Sequence, residues 1–166
     1  VPQAKSASSA YTAFETVLLG RSSHLGAFST PKQGDMDKAW HAMEKLGIVH
    51  LAEKKCNSIS GGELQMVLIA RALAANPEIL ILDDASSALD YATDSALRQA
   101  LRTGYRDTTT VVVAQRISSL RHADLILVLD DGQLVGQGTH EQLIENCPVY
   151  REIFHSQFGK ERGSNE

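Results

Sequence analysis

The sequence predicts an α/β fold in which a helical first part gives way to strands alternating with helices. Three observations carry this: helix-period apolar patterns up to about Asn76, the apolar run Ile79-Leu80-Ile81-Leu82, and the β-branched run Thr109 to Ala114, with a helical stretch between the two runs. A strand, helix, strand order of this kind implies a parallel sheet.

Taken in order, Phe14, Val17 and Leu18 share a helix face, and Gly20 is placed to stop that helix. The polar stretch RSSHLGAFST reads as a flexible loop. Thr30-Pro31 reads as the start of an amphipathic helix that runs through Met36, Ala39, Trp40, Met43 and Leu46 to Gly47. A dense apolar helix is expected from Glu63 to Ala75, ended by Asn76-Pro77. Ile79 to Leu82 is apolar on both faces, which is how a central parallel strand reads, and Thr109 to Ala114 reads as a second buried strand. Between them, Asp90 to about Leu101 is helical. Asp131-Gly132 marks a tight hairpin, and Thr139 with Gln142 stands at capping-box spacing ahead of a further helix. The tail ERGSNE is expected to fray.

A chain of 166 residues with 43% hydrophobic and 22% charged residues can bury one real core. Its net charge of −4 gives no general attraction to nucleic acid or to an anionic bilayer, so nucleic-acid binding is not expected. Cys56 and Cys147 have no metal-ligand spacing around them and suggest neither a zinc site nor a disulfide framework, which fits a reducing cytosolic setting. No apolar run approaches the ~18 residues of a membrane span. The N-terminus has no signal-peptide pattern, and the lack of an initiating Met suggests a fragment. The six histidines show no ligand spacing and are expected in packing or surface roles.

The chemistry concentrates in NSISGGELQMVLIARALAANPEILILDDASSALD, residues 57 to 90. Ser60-Gly61-Gly62 opens a helix, where unpaired amides and the helix dipole favour an anion. The same residues also read as a plain helix cap, because Ser60 and Glu63 have the S-x-x-E spacing; the two readings are compatible. Asp83 and Asp84 follow four apolar residues, at the carboxyl end of a strand where α/β proteins bind ligands. That pattern suits a Walker B site, whose first aspartate holds Mg²⁺ and whose next residue acts on the attacking water.

The order SISGGE, LILDDASSALD and VVVAQRISSLRHADLILVLDDGQLVGQGTHEQL resembles the ATP-binding domain of ABC transporters over nearly the whole chain. The resemblance implies a partial P-loop NTPase core of the RecA-like kind with a helical subdomain. It also implies a division into residues 1–76, with the Q-loop and signature helix, and residues 77–166, the C-terminal half of the core. Gln3 is then the Q-loop glutamine, touching nucleotide and metal. Ser60, Gly61 and Gly62 are the signature contacts to nucleotide, Asp83 the Mg²⁺ ligand, Ser87 and Asp90 part of the D-loop, and Gln115 the switch residue. ATP and Mg²⁺ are the implied cofactors. The implied partners are a second ABC ATP-binding domain, packed head to tail, and a transmembrane permease at the inner face of the cell membrane. Unpaired strand edges would also let the chain pair with a copy of itself.

Three departures qualify the resemblance. The chain has no G-x-x-x-x-G-K-[ST] loop, so the cradle for the β and γ phosphates, with its strand and helix, is lacking; the sequence reads as the part of such a domain from the Q-loop onward. Asp84 stands where a glutamate ordinarily positions the attacking water, one methylene short, and a displacement on the order of 1 Å can cost about a hundredfold in rate. Gln115 stands where histidine is usual and cannot carry a proton or positive charge. Asp84 and Gln115, counted as the catalytic positions, therefore imply weak or absent hydrolysis. The segments before Asp83 resemble ATPases of iron-siderophore and cobalamin importers, and those after it resemble degenerate halves of heterodimeric exporters, as in a chimera or mosaic. The alternative to a transporter ATPase module is an interaction module that performs no chemistry.

Overall fold

The structure is a computed structural model that describes residues 11–25, 29–83 and 89–158. The chain divides into two units, Val1–Val111 and Val112–Glu166, each with a core of its own. These units do not coincide with the division at residues 76 and 77 that the resemblance implies.

The first unit begins with α1 (Ala13–Leu18), started by a capping box in which the Thr12 hydroxyl accepts from the Glu15 amide and the Glu15 carboxylate accepts from the Thr12 amide. α1 ends at Leu18 with Leu19 as its C-cap, just before Gly20 as expected, and the chain runs on as a 3₁₀ turn over Leu19–His24. The reason for glycine is packing: a Cβ at residue 20 would lie 2.0 Å from the carbonyl oxygen of Arg71. The next helix, α2 (Gln33–Lys45), starts after Lys32, whose amide donates to the Asp35 carboxylate. Gly47 ends it as predicted. Its φ is +69°, its N–H donates to the Glu44 carbonyl and the Ile48 N–H to the Met43 carbonyl, which is the Schellman pattern.

Helix α3 (Gly61–Ala74) buries Met66, Val67, Ile69, Ala70, Leu73 and Ala74, and Asn76 at φ +52° turns the chain out ahead of Pro77. Arg21, 4% exposed, ties three pieces of this unit together: its guanidinium donates to the Asp35 carboxylate and to the Ala74 carbonyl, both at 3.1 Å. His24 contacts the neighbouring Ala75 carbonyl at 2.9 Å. Nothing in the sequence pattern singled out Arg21, since neither partner is near it along the chain.

Strands β1 (Ile79–Asp83) and β2 (Thr109–Val113) are neighbours in a two-stranded sheet, and α4 (Tyr91–Gly104) lies in the connection between them. Neither strand is buried on both faces as the sequence suggested. Leu80 and Leu82 join the core with Leu97 and Leu101, whereas Ile79 and Ile81 are 61% and 66% exposed, and Val111, Val112 and Val113 are exposed too. β1 thus has one buried and one exposed face, while β2 is exposed along most of its length. Lys45 donates to the Gly104 carbonyl and lies 4.6 Å from the centre of the Tyr105 ring, joining the C-terminal ends of α2 and α4.

The second unit contains α5 (Ile117–Leu120), β3 (Ile126–Asp130), β4 (Gln133–Gly138), α6 (His140–Asn146) and α7 (Pro148–Phe158). β3 and β4 form the predicted hairpin: Asp130 pairs with Gln133, and Asp131 and Gly132 both have positive φ, 46° and 75°. Two positive φ values make this a two-residue type I′ turn. The predicted capping box of α6 is present between Thr139 and Gln142. Ile117, Ile126, Val128, Leu143, Cys147 and Tyr150 form the core of this unit.

Candidate functional site

The turn at residues 60–62 is a helix start before it is anything else. Ser60 has φ −67° and ψ 162°, outside the helix, and its hydroxyl oxygen accepts from the Glu63 N–H at 3.2 Å. The Glu63 carboxylate accepts from the Ser60 N–H at 2.8 Å. That hydrogen bond from the Ser60 backbone, helped by the Ser60 side chain, holds the Glu63 carboxyl below its ordinary range. Both sequence readings coexist here, because the box leaves the first helical amides, those of Gly61 and Gly62, without intrahelical acceptors.

Ser60 and Gly61 are exposed and Gly62 is half-buried. A Cβ at Gly61 would meet nothing within 4 Å. The fold of this chain therefore does not require glycine there, and glycine inside a helix costs roughly 1 kcal/mol relative to alanine. What glycine supplies at such a place is a bare backbone that an outside group can approach closely.

Asp83 ends β1 and is exposed. Asp90 is the N-cap of α4: its carboxylate accepts from the Thr93 N–H at 2.8 Å and the Thr93 hydroxyl at 3.1 Å. The Thr93 backbone bond holds the Asp90 carboxyl below its ordinary range. Gln115 is exposed between β2 and α5, and its carbonyl accepts from Gln157 Nε2 at 2.7 Å. Gln3, Asp84 and Ser87 lie outside the described residues. Among the described residues no group of three His, Cys, Asp or Glu side chains could hold a metal ion. One carboxylate at a strand end suits Mg²⁺ all the same, since this ion is commonly held by one or two carboxylates together with substrate phosphates. A shallow concavity on α2, lined by Asp37, Lys38, Trp40, His41 and Glu44, contains none of the predicted site residues.

A helix-starting Ser-Gly-Gly turn and an apolar strand ending in aspartate thus stand in one α/β unit. The ABC transporter family model matches residues 1–87, just over half of the chain, and the chain belongs to that family. The ABC transporter ATP-binding/permease protein YheI of Bacillus subtilis is 44% identical over 111 residues, which is 67% of this chain and 19% of YheI. An ATP-dependent lipid A-core flippase of Alcanivorax borkumensis is 41% identical over 125 residues, 74% of this chain and 22% of the flippase. The chain thus spans about a fifth of the length of these curated relatives. Among solved structures, a bacterial Atm1-family ABC exporter with ATP bound is similar at a TM-score of 0.74 and 29% identity, over 89% of this chain and 26% of the exporter. The dimeric bacterial ABC transporter cassette MJ0796 has a TM-score of 0.70 and 30% identity, over 79% and 57%. A structure assigned to the metal-chelate type of ABC transporter, inward-facing, has a TM-score of 0.73 and 31% identity, over 86% and 59%. The fold is that of the ABC ATPase cassette, and the family as a whole uses ATP and Mg²⁺.

One contact at the site was not legible beforehand: the Gln157 side chain on the backbone of Gln115. It joins residues 42 apart, and no spacing rule reaches across that distance.

Proposed function

We propose that this chain acts as an ATP-binding module of an ABC transporter, presenting Ser60, Gly61 and Gly62 to nucleotide held by the phosphate loop of a second ATP-binding domain. The observation that carries this is Gly61, a glycine at an exposed helix start where a Cβ would meet nothing. Its value lies in what approaches from outside. The Gly61 and Gly62 amides would donate to phosphate oxygens, with Ser60 presented beside them and the helix dipole adding favourable charge. Asp83 and Gln3 are the proposed Mg²⁺ ligands. Ser87 and Asp90 belong to the loop that addresses the opposite site, and Asp84 and Gln115 take the catalytic positions in weakened form. Residues 1–76 serve as the signature part facing the permease and 77–166 as the core part, on the cytoplasmic side of the membrane. Mg²⁺ supplies charge neutralisation on the phosphates when bound.

The dimeric structure of a similar cassette supports a second ATP-binding domain as the partner. A mosaic of importer-like and exporter-like halves belongs to the same reading; an uninterrupted importer gene around this sequence would overturn that part.

The test is titration of fluorescently labelled ATP, with Mg²⁺, against the chain alone, against a P-loop-bearing ABC ATP-binding domain alone, and against both. The expected result is negligible binding and turnover by the chain alone and at least tenfold tighter binding by the pair than by the partner alone. Ser60→Asp should remove that gain while leaving the helix capped, because aspartate is an equally good N-cap but repels phosphate. Equal affinity with and without the chain would establish the inert interaction module instead, and robust turnover by the chain alone would overturn the weakened-site assignment.

A further inference from the structure

Gln157 sits near the end of α7 and reaches back to the segment between β2 and α5. Its Nε2 donates to the Gln115 carbonyl at 2.7 Å and its Oε1 accepts from the Ile117 N–H at 2.9 Å. One planar amide thus bridges the backbone on either side of Arg116. Each end answers a need. Ile117 is the first residue of α5, so its N–H has no intrahelical acceptor, and the Gln115 carbonyl lies outside any strand or helix.

Only a carboxamide offers a donor and an acceptor side by side at this spacing. Flipping it would set donor against donor and acceptor against acceptor, so the network itself fixes its orientation. Gln157 and Gln115 are both exposed, so water competes for each bond, and it is the two-point contact that gives the bridge its hold. The helix that carries Gln157 is well seated: Tyr150 is buried in the unit's core, and Phe154 and Phe158 pack against that core, to which Ile117 also belongs.

We propose that Gln157 is a positioning residue for Gln115: it fixes the backbone from which the Gln115 side chain projects, so that α7 governs where residue 115 can reach. This rests on the reading of Gln115 as the switch position, and its own test is made without nucleotide so that the two can fail separately. The chain is compared with its Gln157→Leu and Gln157→Glu variants by amide hydrogen exchange and by the NMR signals of the Gln115 side-chain amide. Gln157→Leu should speed exchange at Ile117 by about fivefold or more, the effect of losing one ordinary hydrogen bond. Gln157→Glu near neutral pH keeps the acceptor and loses the donor. It should leave Ile117 exchange within about twofold of the parent while shifting the Gln115 side-chain signals as Gln157→Leu does. Exchange at Val128, in the core of the same unit, and the thermal midpoint should stay as in the parent. Equal Ile117 exchange in parent and Gln157→Leu, Gln115 signals indifferent to both variants, or a matching rise at Val128 would each overturn the proposal, the last by making Gln157 a general support of the unit. The underlying reading is checked apart, by adding MgATP and the P-loop partner and following the Gln115 signals. Their failure to move would sink the switch assignment and with it the functional meaning of the clamp, though not the exchange result.

Discussion

The Ser60 hydroxyl caps the Glu63 amide, and under the proposed function the same exposed residue meets nucleotide. The residue therefore has a stability role and a recognition role that substitution can separate. Ser60→Ala should cost about 1 kcal/mol in urea denaturation through loss of the cap, whereas Ser60→Asp should leave stability near the parent. Glu63 adds a pH dependence of definite sign. Its carboxyl is held below the usual value in the folded chain, so its contribution is present above the ordinary carboxyl range and is lost as pH falls through the lowered folded value. Unfolding midpoints measured from pH 6 down to 3 should fall less steeply in Glu63→Gln than in the parent; identical slopes would show that the charge plays no part. The caps at Ser60 and Thr139 were legible because a cap is a contact between residues three apart. The role of Gly61 was legible only as a motif, and the empty space around a Cβ there is a property of the folded chain.

At the scale of elements, β1 shows where pattern reading reaches its limit. Four consecutive apolar residues say that both faces of a strand avoid water, but not which covering layers are present. Leu80 and Leu82 are packed among Leu97 and Leu101, and Ile79 and Ile81 are not. Leu80→Ala should therefore cost about 2–5 kcal/mol, as for other buried leucines, and Ile81→Thr should stay within about 0.5 kcal/mol, as surface changes do. Equal costs in chemical denaturation would mean that the open face is covered in solution. Gly20 makes a related point. A glycine after an apolar helix reads as a stop, and α1 does end there, but this glycine also lets the chain pass against the Arg71 carbonyl. That demand comes from a segment some fifty residues away, so no local rule could separate the two explanations. Gly47 and the Asp131-Gly132 turn were read correctly because their positive φ values belong to purely local motifs.

At the scale of the whole molecule, family membership was legible because its motifs are several, specific and correctly ordered, whereas the ties that hold each unit together were not. Arg21 joins the first 3₁₀ turn to α2 and α3, and Gln157 joins α7 to the loop before α5. Both depend on pairs of residues that only folding brings near. Among the described residues no helix is long and apolar enough to cross a membrane. Cys56 and Cys147, which suggested nothing as ligands or crosslinks, gain a use from the two-unit organisation. Each is a free thiol, 3% exposed, and each belongs to a different core. A thiol reagent can reach either one only when its own unit opens. Cys56→Ala and Cys147→Ala variants would then each carry a single internal clock, and the expected result is two labelling rates with different dependence on urea. A common rate and a common dependence would mean that the units open as one, and the same two sulfurs would have timed that event as well.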